Sequence, residues 1–225
     1  MTHVRRVTAL NVLLLVAFTV SAQGQAARPG QPAAAPVAEG PPRASRLDLV
    51  EGTKARYIVG EQLVGVSFGN DAVGTTESVT GTIALGVDGS INSSQSKISV
   101  DLRSLQSDQQ RRDAYLQRNT LQTEQFPTLE FVPKRGVGLP SPLPAPERPQ
   151  AIGFQLVGDM TLRGVTKEVT WNVVATVTAD AIAGRATTSF PFATFNLPKP
   201  SIPLLLSLED KIDLEIEFRA KRTLL

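Results

Sequence analysis

The stretch from Ile152 to Thr178, IGFQLVGDMTLRGVTKEVTWNVVATVT, decides the fold. Ile152, Phe154, Leu156, Gly158, Met160 and Leu162 take every second position, with Gln155, Asp159 and Thr161 between them. After Arg163-Gly164 the rule resumes: Val169, Trp171, Val173, Ala175 and Val177 alternate with Glu168, Thr170, Asn172, Thr176 and Thr178. Successive side chains on a strand point to opposite faces. A period of two therefore predicts two strands, each with one apolar face, joined by a tight turn. Both are longer than the usual strand of a globular protein.

The same period extends outward in both directions. Ile212, Leu214, Ile216 and Phe218 alternate with Asp213, Glu215, Glu217 and Arg219. Val79, Ile83, Leu85 and Val87 precede Asp88-Gly89, a hairpin signal, and Ile98, Val100 and Leu102 follow it. Leu47–Val50, Ala55–Leu63, Leu129–Val132 and Ala183–Phe192 are further strand candidates. One segment breaks the period. Asp108–Asn119 (DQQRRDAYLQRN) is polar, rich in helix formers and free of Gly and Pro. It predicts one helix, N-capped by Ser107 or Asp108 and packed on the rest through Ala114, Tyr115 and Leu116. Eight or nine strands with one apolar face each can close into a sandwich or a barrel. Their length favours an eight-stranded antiparallel barrel, whose interior is either filled by side chains or open to one small ligand.

The ends of the chain bound the rest. Arg5 and Arg6, an apolar run from Leu10 to Val20, and small residues around Ala22 and Ala26 predict a secretory signal over residues 1–26. The run is about half the ~20 residues a membrane span needs. No stable span is expected after cleavage, and the destination is periplasmic or secreted. Residues 27–44 are Pro- and Ala-rich and predict a disordered linker. Residues 45–225 then form the domain. Pro133–Pro149 reads as a long surface loop within it, a domain boundary being the alternative.

The formal charge of +2 includes Arg5 and Arg6, and the signal has no Asp or Glu, so residues 27–225 carry a formal charge of 0. That excludes the basic excess of a nucleic-acid binder. Cys is absent and the single His is His3, inside the predicted signal. A Ser-His-Asp or Cys-His nucleophile is therefore out of reach, as are the nitrogen and sulfur ligands that zinc and copper prefer. No dinucleotide, P-loop or calcium-loop motif occurs, and no cofactor is expected. What chemistry remains rests on carboxylates such as Glu209, Asp210, Asp213 and Glu215, of which Asp213 and Glu215 fall on a polar strand face. An enzyme is not expected.

Three segments carry a resemblance. RRDAYLQRNTLQTEQFPTLEF (Arg111–Phe131), VGDMTLRGVTKEVTWNV (Val157–Val173) and the end from Phe195 through PKPSIPLLLSLEDKIDLEIEF are similar to the polyisoprenoid-binding YceI-like family. The resemblance implies an extended, lipocalin-like barrel with a helix near one end. It also implies non-catalytic binding or carriage of an isoprenoid or quinone-like lipid. Two features depart from the family: Tyr57 or Val59 stands where many members carry a His on an early strand, and the Pro133–Pro149 loop is longer.

Phe131, Phe154, Leu156, Trp171, Val173, Leu214 and Ile216 are then the candidates for lining a ligand cavity, the alternative being that they fill a core. Arg163, in the turn, is the candidate for a lipid phosphate, or else a solvated turn residue. A barrel with a filled core that acts through its outer surface stays open as a second function. A homodimer is a further expectation.

Overall fold

A closed barrel gives every strand two neighbours and so leaves no unpaired backbone edge. The computed structural model describes residues 43–65, 69–201 and 205–225. The predicted signal and all but the last residues of the predicted linker lie outside them. In chain order the strands are β1 (Ser45–Leu49), β2 (Lys54–Leu63), β3 (Asn70–Thr76), β4 (Val79–Leu85), β5 (Lys97–Asp101) and β6 (Gln106–Ser107). The helix α1 (Gln110–Tyr115) follows. Then come β7 (Thr128–Val137), β8 (Gln150–Leu162), β9 (Val165–Val177), β10 (Ala181–Phe190), β11 (Leu205–Leu208) and β12 (Ile212–Leu224).

The pairing order β1-β4-β5-β7-β8-β9-β10-β12 closes through β12 on β1, all antiparallel. This is the eight-stranded antiparallel barrel with one helix that the strand lengths and the family resemblance lead one to expect. Three of its staves are made of two strands end to end. β2 lies along the first half of β12 and β1 along the second. β3 and β4 follow β2 and β1 in turn, and β6 and β5 follow them.

Where those staves bend, the ladder is interrupted, and hydroxyl groups replace the missing partners. Thr53, 2% exposed, accepts from Arg219 N at 3.1 Å and shares its own proton between Val50 O at 2.9 Å and Arg219 O at 3.2 Å. On the next stave Thr76 Oγ1 accepts from Ser78 N at 2.9 Å and donates to Ser104 Oγ at 2.6 Å. Ser104 Oγ in turn donates to Asp101 O at 2.8 Å on the third. A bend without these groups would leave buried peptide groups unpaired.

The β8–β9 hairpin turns on Arg163 (φ +49°) and Gly164 (φ +72°) with Leu162 opposite Val165. Two positive φ values are what a two-residue turn needs to follow the strands' twist. Gly supplies one freely. Arg163 is held in the other by its guanidinium, whose Nη1 donates to Asn196 O at 2.7 Å and Nη2 to Gln122 Oε1 at 2.9 Å.

The structure departs from the sequence reading at three places. β7 runs past Pro133 to Val137, so the connecting segment is only 138–149. Pro133 sits at a bulge, between its own pairing with Gly158 and that of Arg135 with Val157, where a missing N–H does least harm. The helix starts later than predicted, at Gln110, because Ser107 is used in β6 opposite Gly74. Asp113 reaches back instead, its Oδ1 accepting from Ser107 N at 3.0 Å, and after Tyr115 the chain widens into one π turn, Leu116–Thr120. Finally β3 and β11 carry no clean alternation and were not predicted. β3 is made by its neighbours, since Asn70–Thr76 pairs with β2 along its whole length.

Candidate functional site

The inward positions of the staves converge on a cavity of about 80 Å³ whose lining residues are all apolar. β8 gives Phe154 and Leu156, β9 Trp171 and Val173, β7 Phe131, and β12 Ile216, Phe218 and Ala220. A second space of about 50 Å³ lies beyond it, bounded by Ala55, Tyr57, Leu105, Leu129 and Leu214, with Arg56 and Glu215 at its wall. Trp171 and Ile216 line both. The single Trp of the chain, 2% exposed and edge-on to Phe131 with ring centroids 6.1 Å apart, therefore stands at the partition. Among the described residues its indole Nε1 has no hydrogen-bond partner.

Six of the eight sequence-derived candidates thus meet at the larger cavity: Phe131, Phe154, Leu156, Trp171, Val173 and Ile216. Leu214 lines only the smaller one. Arg163 lines neither; it ties the β8–β9 turn to the segments around Gln122 and Asn196.

Two elements close the ends. At the end where β12 starts, α1 folds over the opening. Arg112 donates through Nη2 to Glu61 Oε1 at 2.6 Å, and also pairs with Asp108. Glu61 shares the inward face of β2 with Tyr57 and Val59 and its side chain is 7% exposed. Tyr57 lies across Gly74, where a Cβ would collide with its ring, and its hydroxyl is buried without a partner among the described residues. Burial pushes the Tyr57 pKa well above its ordinary value; nearby Arg112 opposes this, and Asp113 and Glu61 add to it.

The sign of the consequence is fixed. The folded state keeps a proton that the unfolded chain loses above about pH 10, so stability falls as pH rises past that point. Tyr57→Phe is expected to shrink this alkaline loss and to leave stability at neutral pH unchanged or improved, since an unsatisfied hydroxyl disappears. Urea unfolding at pH 7 and at about pH 10.5 measures both. A loss of more than about 1 kcal/mol at pH 7 would mean the hydroxyl has a partner in solution.

At the opposite end, segment 138–149 lies across the mouth. Leu139 and Leu143 line the larger cavity, Leu143 being 4% exposed. Arg222 holds the segment from below: Nη2 donates to Leu143 O at 2.9 Å and Nη1 to Pro144 O at 2.8 Å. Burial lowers the Arg222 pKa from its ordinary value, though a guanidinium stays charged at any physiological pH. The sequence reading passed over Leu139, Leu143 and Arg222. Leu139 and Leu143 stand in a Pro-rich run without a period. The only signal for Arg222 was its place at the end of an alternating strand.

Three of the four carboxylates considered for catalysis pair with cations. Glu215, expected on a solvated face, is 8% exposed, because Arg56 and Arg185 cover it from β2 and β10. Asp213 pairs with Lys211 at 2.9 Å, and Asp210 with Lys199 at 3.3 Å. Among the described residues no group of His, Cys, Asp and Glu could hold a metal ion, and no helix is long and apolar enough to cross a membrane.

Closed antiparallel staves around an apolar cavity define a hollow β-barrel of the lipocalin-like kind. The family model described as the YceI-like domain matches residues 53–220, and the chain belongs to that family. A search of curated proteins finds no match. Among solved structures it is similar to a polyisoprenoid binding domain from Saccharophagus degradans implicated in plant cell wall breakdown. That alignment has a TM-score of 0.56 and 10% identity, over 80% of this chain and 99% of the other. It is also similar to BcnA of Burkholderia cenocepacia (TM-score 0.52, 11% identity, 76% and 96% covered). The Campylobacter jejuni YceI protein gives a TM-score of 0.52 at 15% identity, over 71% and 88% of the two chains. Identities this low speak for a shared fold.

Proposed function

We propose that the protein binds and carries an amphiphilic isoprenoid or quinone-like lipid, with the apolar chain inside the barrel, and performs no chemistry on it. The observation that carries this reading is the interior cavity lined only by apolar side chains. Burying an apolar chain there is worth roughly 0.8 kcal/mol per CH₂, so a long tail binds tightly without polar recognition along its length. The two spaces of about 80 and 50 Å³ are small beside a polyprenyl tail. Occupancy requires them to merge; of the two residues that line both, Trp171 and Ile216, Trp171 carries the only polar group, and its indole N–H gives up no hydrogen bond to a described residue on moving. The polyisoprenoid-binding neighbour supports the ligand class. The pairing of Glu215, Asp213 and Asp210 with cations supports binding over catalysis. The N-terminal Arg5-Arg6 and apolar run support export to the periplasm or beyond. A homodimer is compatible with this role and not required by it.

The test is to purify the full chain, extract it with organic solvent and identify the extract by mass spectrometry. A stoichiometric polyprenyl or quinone species is expected. Protein recovered empty, whose Trp171 fluorescence also does not respond to added geranylgeraniol, would overturn the proposal.

A further inference from the structure

The inward stripe of β12 runs Leu214, Ile216, Phe218, Ala220 and then, at the next inward position, Arg222. Ala220 lines the larger cavity, and Arg222 stands about 7 Å further along the strand, in register with the cavity-lining Leu47 of β1. Arg222 is 9% exposed. Among the described residues no carboxylate lies within ion-pair distance of its guanidinium, which is held by two backbone carbonyls alone, with Nε unpartnered. A buried cation normally has a counter-charge; neutral carbonyls replace one poorly. This one faces the mouth of an apolar cavity.

Both carbonyls belong to the segment that covers that mouth. Segment 138–149 begins at Gly138, whose φ is +75° and beside which a Cβ would meet nothing. Among the described residues no backbone–backbone hydrogen bond holds its residues 139–149. Apart from the leucine side chains, what fixes it is Arg222 and a hydrogen bond from Ser141 Oγ to Asp88 O. The closed position of the segment and the satisfaction of Arg222 are therefore one arrangement.

We propose that Arg222 is the receptor for an oxyanion on the lipid head group, and that segment 138–149 is a strap which this anion unlatches by taking the guanidinium from the Leu143 and Pro144 carbonyls. This rests on the lipid-binding reading above and adds an entrance, a head-group class and an order of events. The tail enters past Leu139 and Leu143, and the head group stops at the mouth. A phosphate or similar oxyanion matches the planar two-pronged donor set, and its charge outcompetes carbonyls.

Binding is followed through Trp171 fluorescence, with geranylgeranyl monophosphate, geranylgeraniol and inorganic phosphate as probes. Wild-type protein is expected to prefer the monophosphate over the alcohol by about tenfold or more, the low end for charge-assisted hydrogen bonds. R222Q is expected to lose that preference while keeping its affinity for the alcohol. Hydrogen exchange of peptides covering 138–149 in the wild type is read in parallel, which keeps the test valid if R222Q does not fold. Exchange is expected to rise with the monophosphate and to stay unchanged with inorganic phosphate, which has no tail to anchor it.

If neither prenyl compound perturbs Trp171, the lipid-binding reading itself falls. If both bind but equally, or if R222Q retains the preference, or if strap exchange stays flat with the monophosphate, the barrel reading stands and the Arg222 proposal is overturned. Inorganic phosphate alone raising strap exchange would make Arg222 a free-anion site and would overturn its assignment to a lipid head group.

Discussion

Replacing Trp171 with aspartate is expected to unfold most of what holds the barrel together. The indole is 2% exposed, packs edge-on against Phe131 and lines both interior spaces. Removing a buried Trp side chain typically costs ~3–5 kcal/mol. A carboxylate in its place has no cation within the apolar cavity lining, so it must either desolvate or take up a proton. For a domain of this size the loss corresponds to a Tm lower by at least ~6 °C. Differential scanning calorimetry decides it. A midpoint within ~2 °C of wild type would mean that the two faces of β9 have been assigned the wrong way round.

The second large effect is expected at the other end of the barrel. Glu61→Ala leaves the Arg112 guanidinium, whose side chain is 14% exposed, beneath α1 with only the exposed Asp108 as counter-charge. Removing one partner of a buried pair costs ~3–5 kcal/mol, most of it from the charge left behind. If that is the origin, Glu61→Leu combined with Arg112→Leu should recover most of the loss, since replacing both members of such a pair with apolar residues is often neutral or better. Chemical denaturation of Glu61→Leu, Arg112→Leu and the double variant completes the cycle. A double variant as unstable as the sum of the singles would show that the two residues act independently.

Much of this architecture was legible in the chain itself. From Ile152 to Thr178 the period of two follows directly from strand geometry. The same rule on β12 puts Leu214, Ile216 and Phe218 on the inside. The candidates brought together at the cavity came from that rule. It was less informative wherever the partner strand, and not the residue, decides the outcome. Glu61 lies on the inward face of β2 because Arg112 is there to meet it. Glu215 is covered because Arg56 and Arg185 from two neighbouring strands fold over it. Neither pairing has a local signature, since the partners are brought near only by closure of the barrel.

What the sequence determined by itself was the period, and with it the strands, their apolar faces and the absence of histidine and cysteine chemistry. Those are properties of single residues and of their neighbours two places away. Tertiary structure decided whether the interior was open and what stood at its ends. The Thr53, Thr76 and Ser104 hydroxyls matter only where staves bend against one another. Arg222 meets Leu143, 79 residues earlier in the chain, only because closing β12 on β1 carries its inward face to the mouth. A strand's periodicity says which way a side chain points; what it points at is set by chain closure over distances that no local pattern records.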